Sequence, residues 1–489
     1  MGGRLSTPMT TAPMAGAPFV GPHVFEEIAK RRAAQGDVQG SKVYLKQAVQ
    51  ADGLNLQRLK VTQLRAWQSK PPVIQRLSTR KGFAPEAGVE VPVEERIARF
   101  EVYDAKNASR ASWNPKNLVR KKGDKPTGDE AVDDAYQSIV NSLIYYLEGL
   151  GINSIDAKGL VIKAAVHLGK AYNNAYYVDG TINFGDGDGK IFHHFAKDLT
   201  VVAHELGHGI VEMLLGGLTY WSQSGALNES FADTFGISAL QYALGQMPVP
   251  EAVWFIGKTA MVPYTDKAGK RVEPALRSMS HPGTAYVDHP DIGTDSQPKD
   301  MDGYYTGSSD NYGVHINSGI VSRAFYLAAT AIGGDTSHTL VQLWMDAARM
   351  GTKNANFKEF AGNTLQIAWN KYHDKPEIHA AIEKAWKTVK VLGDNAPDKL
   401  PPAYVVTSPA VLKIFGIKAS EYIEISTALN RTNLEKQFGA RKVSVGFTLN
   451  EKSEAELVVL AYVDQGQGAP LPGDFGGYKV VKMDTSLLS

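Results

Sequence analysis

The chain has 489 residues, with 52 Lys plus Arg against 51 Asp plus Glu, and no cysteine. Its near-zero net charge leaves no electrostatic footprint for nucleic acid or an anionic membrane surface. The missing thiols exclude disulfides and thiolate chemistry, so any metal ion must be held by nitrogen and oxygen ligands. The length suffices for two or three domains with sizeable cores.

The opening, MGGRLSTPMTTAPMAGAPFVGP, is interrupted by Pro8, Pro13 and Pro18. It offers no continuous apolar core for a standard secretory signal, so the expected location is cytoplasmic, or outside by a non-standard route. No window approaches 18 uninterrupted apolar residues, so no spanning helix is expected. Residues 1 to about 20 read as a disordered arm. Residues 23–34 and 40–68 read as helices, and Pro71-Pro72 ends this part. Residues 70–98 read as an exposed linker and cleavage region.

From Arg99 the pattern changes. FEVYDA alternates as a strand, and residues 126–150 show helical spacing through Ala131, Ala135, Ile139, Leu143 and Leu147. Residues 160–192 read as short strands around a Gly-Asp-Gly-Asp-Gly run at 185–189. That run fits a calcium loop or a tight loop corner. The corner is preferred because the downstream ligands of an EF-hand are missing. Asp198 suits an N-cap, and Gly216-Gly217 a helix stop. Helices are expected at 228–244, 315–333, 337–350, 357–372 and 376–392, with a loop-rich stretch at 246–311. After a linker, DNAPDKLPPA, the segments KVSVGFTL, AELVVLAYV and YKVVKM alternate as strands, predicting a small β-rich domain over 395–489.

The chemistry concentrates in His204-Glu205-Leu206-Gly207-His208 and in Gly225-Ala226-Leu227-Asn228-Glu229. On a helix, positions i and i+4 share a face, so His204 and His208 can reach one ion. Glu205 lies where it can touch water on that ion, and Glu229 supplies a third ligand. Two histidines, one carboxylate and an open position make a hydrolytic zinc site. The alternative is a surface helix with two solvated histidines. Val201, Val202, Ala203, Leu206 and Ile210 are too apolar for that, and buried imidazoles need partners, which a metal provides. Gly207 and Gly209 each cost a helix about 0.5–1 kcal/mol relative to alanine, so a close approach of another element is the expected reason for them.

HELGH, then GALNESFAD, then DNYGVHINSG resembles the thermolysin-like zinc metallopeptidases. The resemblance runs from about Phe100 to Gly393 and includes YNNAYY at 172–177 and ALRSMS at 275–280. Metzincins require glycine three residues after the second histidine, where this chain has Val211. The Gly-x-Met-x-Asn signature of gluzincin aminopeptidases is absent. Residues 1–95 resemble the short precursor of the protealysin-like branch through FVGPHVFEEIAKR and LKVTQLRA. The resemblance implies a pro-segment that covers the cleft and is cut off on maturation, and a permanent helical accessory domain is the other reading.

The implied fold is α+β and two-lobed, with a β-rich N-lobe (96–217), a helical C-lobe (218–394) and the HExxH helix at the cleft floor. The implied cofactor is zinc on His204, His208 and Glu229, with Glu205 taking a proton from the activated water and returning it to the leaving amine. His315 and Tyr220 match donors to the tetrahedral oxyanion, although the loop before Tyr220 has one extra residue. Asp310 is expected to hold His315 as a donor, and Asp233 to orient a zinc-bound histidine. Arg277 matches the side chain that holds the carbonyl after the scissile bond. Asn174 and Ala175 match the edge strand that binds extended peptides. Phe192, Phe195, Val201 and Leu276 fall at the primary pocket, which implies cleavage on the amino side of bulky hydrophobic residues. Thr200 and Leu240 stand where the family's paired calcium site has acidic residues, so that site is expected to be absent. Calcium near Tyr264-Thr265 lacks its later acidic partner, replaced by Pro274. The expected partners are protein or peptide substrates and the chain's own pro-segment in the cleft. The role of residues 395–489 is left open by the sequence, with attachment to an unknown surface or assembly as one reading.

Overall fold

A computed structural model describes residues 17–66, 91–245, 250–333, 336–372, 374–393, 404–405, 418–431, 440–449, 455–464 and 471–484. The first described element is a two-residue strand, β1 (Ala17–Pro18). Two helices that pack on each other follow, α1 (Pro22–Ala34) and α2 (Val38–Ala66). Residues 17–20, read from sequence as part of a disordered arm, are instead held by pairing with a distant strand, which local composition cannot reveal. The rest of that arm, residues 67–68 of the expected second helix and residues 70–90 of the expected linker lie outside the described residues. A single turn, α3 (Val93–Arg96), leads into the next lobe.

That lobe is built on β2 (Phe100–Asp104), β3 (Leu118–Lys121), β4 (Ile162–Val166), β5 (Ala175–Val178) and β6 (Thr181–Phe184). With β1 they form one sheet in the order β1-β5-β6-β4-β2-β3. The β2–β4 and β4–β6 pairs are parallel, and β1 lies antiparallel on the edge of β5, pairing Ala17 with Tyr177 and Pro18 with Tyr176. Helix α4 (Glu130–Ile144) starts on Asp129, whose carboxylate accepts from Val132 N, and ends in one π-turn, Tyr145–Gly149.

The cleft floor is α5 (Leu199–Leu214), N-capped by Asp198 and followed by α6 (Ser222–Ala243). α6 begins at Ser222, six residues before the expected start, because the small polar run Ser-Gln-Ser-Gly is buried rather than left as a surface loop. Short strands β7 (Phe255–Ile256), β8 (Tyr264–Thr265), β9 (Arg271–Val272) and β10 (Arg277–Ser278) punctuate the loop-rich stretch. Helices α7 (Ser309–Ile332), α8 (Thr336–Met350), α9 (Phe357–Lys371) and α10 (Pro376–Thr388) complete this part. Trp344 of α8 stacks on Trp386 of α10 with ring centroids 5.9 Å apart.

The glycines of α5 sit against neighbouring elements. A Cβ on Gly207 would lie 3.1 Å from Ala232 Cα, and one on Gly209 2.7 Å from Ile155 Cδ1. Across the same helix pair, a Cβ on Gly236 would lie 2.7 Å from the Thr200 carbonyl oxygen. Among the described residues, no helix is long and apolar enough to cross a membrane.

Beyond these elements, β11 (Tyr404–Val405), β12 (Lys442–Leu449), β13 (Ala455–Val463), β14 (Asp474–Phe475) and β15 (Tyr478–Asp484) form a sheet in the order β11-β12-β13-β15-β14. This region also carries a helix, α11 (Ala419–Arg431), which strand alternation alone did not anticipate. Its Ile425 is buried with Val445, Val459, Ala461 and Val480 on one face of the sheet.

The 185–189 run is tied to the start of α4 by His167. Its Nδ1 lies 3.0 Å from both carboxylate oxygens of Asp186, and its Nε2 lies 3.1 Å from Asp129 Oδ2. The hydrogen bond to Asp186 and the charges of both carboxylates outweigh burial and push the imidazole up to about 9. A raised pKa means that the charged form stabilises the fold below the ordinary value of 6.5 and that this support is lost as pH rises through about 9. His167→Gln should therefore lower the unfolding temperature most at pH 6 and below. The deficit should shrink above about 9 in a thermal-melt series, and a deficit independent of pH would contradict the charged tie.

Candidate active site

Helix α5 presents His204 and His208 on one face, and α6 brings Glu229 opposite them. His204 Nε2 is 3.4 Å from Glu229 Oε2, and His208 Nε2 is 3.4 Å from Glu229 Oε1. One ligand atom from each residue fits within 4.8 Å of the others, and all three side chains are buried. His204 Nε2 and Glu229 Oε2 have no hydrogen-bond partner, although both are out of contact with solvent. Burial lowers the His204 pKa, with Asp233 opposing, and so favours the neutral, ligating imidazole. Two imidazoles and a carboxylate converging on one point, with no sulfur donor, suit zinc. A second group, Glu130, Asp134 and His194, is at the surface, and Lys197 Nζ already lies 3.1 Å from Glu130.

The far nitrogens of both histidines are fixed. His204 Nδ1 lies 2.8 Å from Asp233 Oδ1, and His208 Nδ1 lies 2.8 Å from Asn228 Oδ1. These contacts turn each ring so that Nε2 faces the centre. Asn228 did not emerge from the sequence reading. Its signal was available, since it immediately precedes a ligand on the α6 face that meets α5. Asp233 also takes both arms of Arg277, Nε at 2.8 Å and Nη2 at 2.7 Å. Burial would raise the Asp233 carboxyl, but Arg277 prevails and holds it down at about 2. Glu205 is buried on α5 next to His204.

Across the cleft, α7 does not begin as a right-handed helix. Asp310, Asn311, Tyr312 and Gly313 have φ of 56°, 49°, 64° and 75°, one turn of left-handed helix. Each side chain bearing a Cβ costs about 1–2 kcal/mol in that conformation, so the turn needs outside support. Asp310 supplies part of it, with Oδ2 accepting from His315 N at 2.8 Å and Oδ1 lying 2.6 Å from His315 Nδ1. Asn311 Nδ2 donates to the Tyr220 carbonyl at 2.9 Å, and the Tyr312 ring packs on Trp221. Burial opposes charging of His315, yet the Asp310 and Glu229 carboxylates prevail and push it up to about 9, so both ring nitrogens carry protons near neutrality. The Tyr220 hydroxyl donates to Glu229 Oε1 and lies 3.2 Å from His315 Nε2.

The cleft holds the chain's own residues 17–20. Phe19 N donates to Ala175 O at 2.9 Å. Val20 N donates to Asn174 Oδ1 at 2.8 Å, and Asn174 Nδ2 donates to Val20 O at 2.9 Å. Arg277 Nη1 donates to Phe19 O at 3.0 Å. His315 Nε2 is 2.6 Å from Pro18 O. The Phe19 ring meets the rings of Phe195 and His204 edge-on, with Arg277 stacked 4.5 Å from its centroid. A Cβ on Gly257 would touch both the Phe19 ring and Leu276 Cβ, so the missing side chain helps to make the space. Phe192 packs behind Phe195, and Val201 is buried one turn before His204. Phe195 meets the Phe19 ring, Leu276 adjoins it across Gly257, and Gly257 is an addition to the sequence-derived pocket residues.

Of the two positions considered for paired calcium, Leu240 offers no side-chain oxygen and the Thr200 hydroxyl is engaged by protein partners. Asp198 accepts from the backbone and hydroxyl of both Thr200 and Thr259. Thr200 Oγ1 accepts in turn from Gly257 N at 2.8 Å.

Comparison with known proteins places this geometry. A family model described as "Thermolysin metallopeptidase, catalytic domain" matches residues 92–212, and "Thermolysin metallopeptidase, alpha-helical domain" matches residues 216–391. An extracellular metalloprotease of Pectobacterium carotovorum is 42% identical over 310 residues, covering 63% of this chain and 84% of that protein. A thermolysin of Alicyclobacillus acidocaldarius is 32% identical, over 54% of this chain and 46% of that protein. The solved precursor of protealysin, a metalloproteinase from Serratia proteamaculans, superposes with a TM-score of 0.60 at 32% identity, covering 77% of this chain and 99% of that one.

Because Asn228 sets the His208 ring, Asn228→Ala should weaken zinc binding by about 10–100-fold, read by competition with a chromophoric chelator. Unchanged zinc affinity would remove Asn228 from the site.

Proposed function

We infer that this chain, which belongs to the thermolysin family of metallopeptidases and so is a zinc-dependent endopeptidase, cuts on the amino side of bulky hydrophobic residues and is held latent by its N-terminal segment. The observation that carries the reading is the seat of Pro18-Phe19-Val20. An extended backbone lies on the β5 edge with its polar groups matched, and its aromatic side chain fills an apolar pocket beside the proposed metal ligands.

His204, His208 and Glu229 would hold zinc, which when bound supplies Lewis acidity that acidifies water and polarises a carbonyl. In this reading Asn174 and Ala175 align an extended substrate as an added strand, and Arg277 holds the carbonyl after the scissile bond. Phe195 and Leu276, backed by Phe192 and Val201, receive the bulky side chain. Glu205 accepts the proton of water and delivers it to the leaving amine. His315 and Tyr220 donate to the oxyanion, with Asp310 keeping His315 protonated and Asp233 orienting His204. Thr200 and Leu240, in place of acidic residues, support a fold without the paired calcium site.

Latency follows from how firmly the segment is anchored behind its strand. Arg32 pairs with Asp291 at 2.6 Å, Tyr44 donates to Asp188 at 2.6 Å, and Asn55 donates to Asp310 at 3.2 Å. Casein hydrolysis should be weak for the full chain and strong for a chain freed of residues 1–95. In that active form Glu205→Gln should lose about 10²–10⁴ in rate. Equal rates for all three would defeat the reading. In the active form, His315→Ala should lower kcat about 10²–10³-fold with little change in KM, and an unaltered kcat would remove His315 from the oxyanion role.

A further inference from the structure

We propose that the Pro18–Phe19 bond is itself cut by the active site that holds it, an intramolecular cleavage that sheds the chain N-terminal to Phe19 and leaves the helices behind it in place. The proposal rests on the endopeptidase reading above and adds a site to it. A plug needs only to fill a cleft, and a segment lying in the reverse direction would do so equally well. This one runs in a substrate's direction and register. The side chain in the pocket is Phe19, and the carbonyl next to it on the N-terminal side, that of Pro18, faces His315. The carbonyl on the other side, that of Phe19, faces Arg277. The bond between those two carbonyls is the one presented for hydrolysis.

Proline at position 18 does not protect it. The nitrogen that must leave belongs to Phe19, which carries a proton and donates it to Ala175 O. In the antiparallel pairing of β1 with β5, Pro18 opposite Tyr176 alternates with the hydrogen-bonded position at Phe19, so its lack of an N–H leaves no ladder bond unmade. In the step, a water oxygen bonds to the Pro18 carbonyl carbon and the bond to Phe19 nitrogen breaks. Glu205 takes a proton from the water and returns it to that nitrogen. The products are a Pro18 carboxylate and a Phe19 ammonium.

The two products are held unequally. Behind Phe19 stand the Arg32–Asp291, Tyr44–Asp188 and Asn55–Asp310 contacts, whereas ahead of it the described grip is the two-residue strand β1 and the contact of the Pro18 carbonyl with His315. The N-terminal fragment therefore leaves while Phe19 stays in the pocket, and the nicked chain remains weakly active until a second cut frees the helices.

The test incubates the zinc-loaded full chain, its Glu205→Gln variant and its Phe19→Asp variant at several protein concentrations, with intact-mass and N-terminal sequence analysis. The wild type should acquire Phe19 as a new N-terminus at a rate independent of concentration, with casein hydrolysis still weak. Neither variant should be cut there. A rate that scales with concentration, or a cut between residues 18 and 19 in Phe19→Asp, overturns the proposal. So does an intact Pro18–Phe19 bond in a preparation that hydrolyses casein once residues 1–95 are removed, while the peptidase reading survives. Failure of every form to hydrolyse casein overturns that reading instead.

Discussion

Three ligand side chains from two helices meet at one point only if the helix backbones approach closely, and α5 and α6 do so at glycines. Gly207 lies against Ala232, and Gly236 against the Thr200 carbonyl. The local cost of glycine in a helix, about 1 kcal/mol each, is set against the contact that lets Glu229 reach two imidazoles one turn apart. Burial then does the rest. With water excluded, every polar atom around the centre must find a partner in the protein or an ion, and this demand selects Asn228, Asp233 and Tyr220 as neighbours.

Across the cleft the design is different. Three residues bearing a Cβ adopt left-handed backbone angles so that one carboxylate, Asp310, can face both the backbone and the ring of His315. This strained stretch lies just before the imidazole that meets the Pro18 carbonyl. One wall of the cleft is thus positioned by close helix packing, and the other by a strained turn that hydrogen bonds keep in place.

Much of this was legible in the sequence because it is local. The i, i+4 histidines, the apolar flanks of α5 and the helical spacing of α4 and α8–α10 are short-range patterns, and the order of motifs along nearly 300 residues points to a two-lobed α+β peptidase. What escaped depends on contacts between distant segments. Residues 17–20 have no strand-like periodicity and are ordered only by the edge of β5. The buried polar start of α6 reads as a loop until its surroundings are known. The left-handed turn has glycine at only one of its four positions. Gly257 shapes the pocket by lacking atoms, which sequence pattern cannot register. Helix α11 lies among strands whose alternation dominates the composition of that region.

Asp233 stands between two tasks. One of its oxygens meets both His204 Nδ1 and Arg277 Nη2, while Arg277 also donates to the Phe19 carbonyl. Its other oxygen accepts from Arg277 Nε, so the guanidinium is held at two points. One carboxylate oxygen thus joins the imidazole at the three-residue cluster to the guanidinium that holds the segment in the cleft.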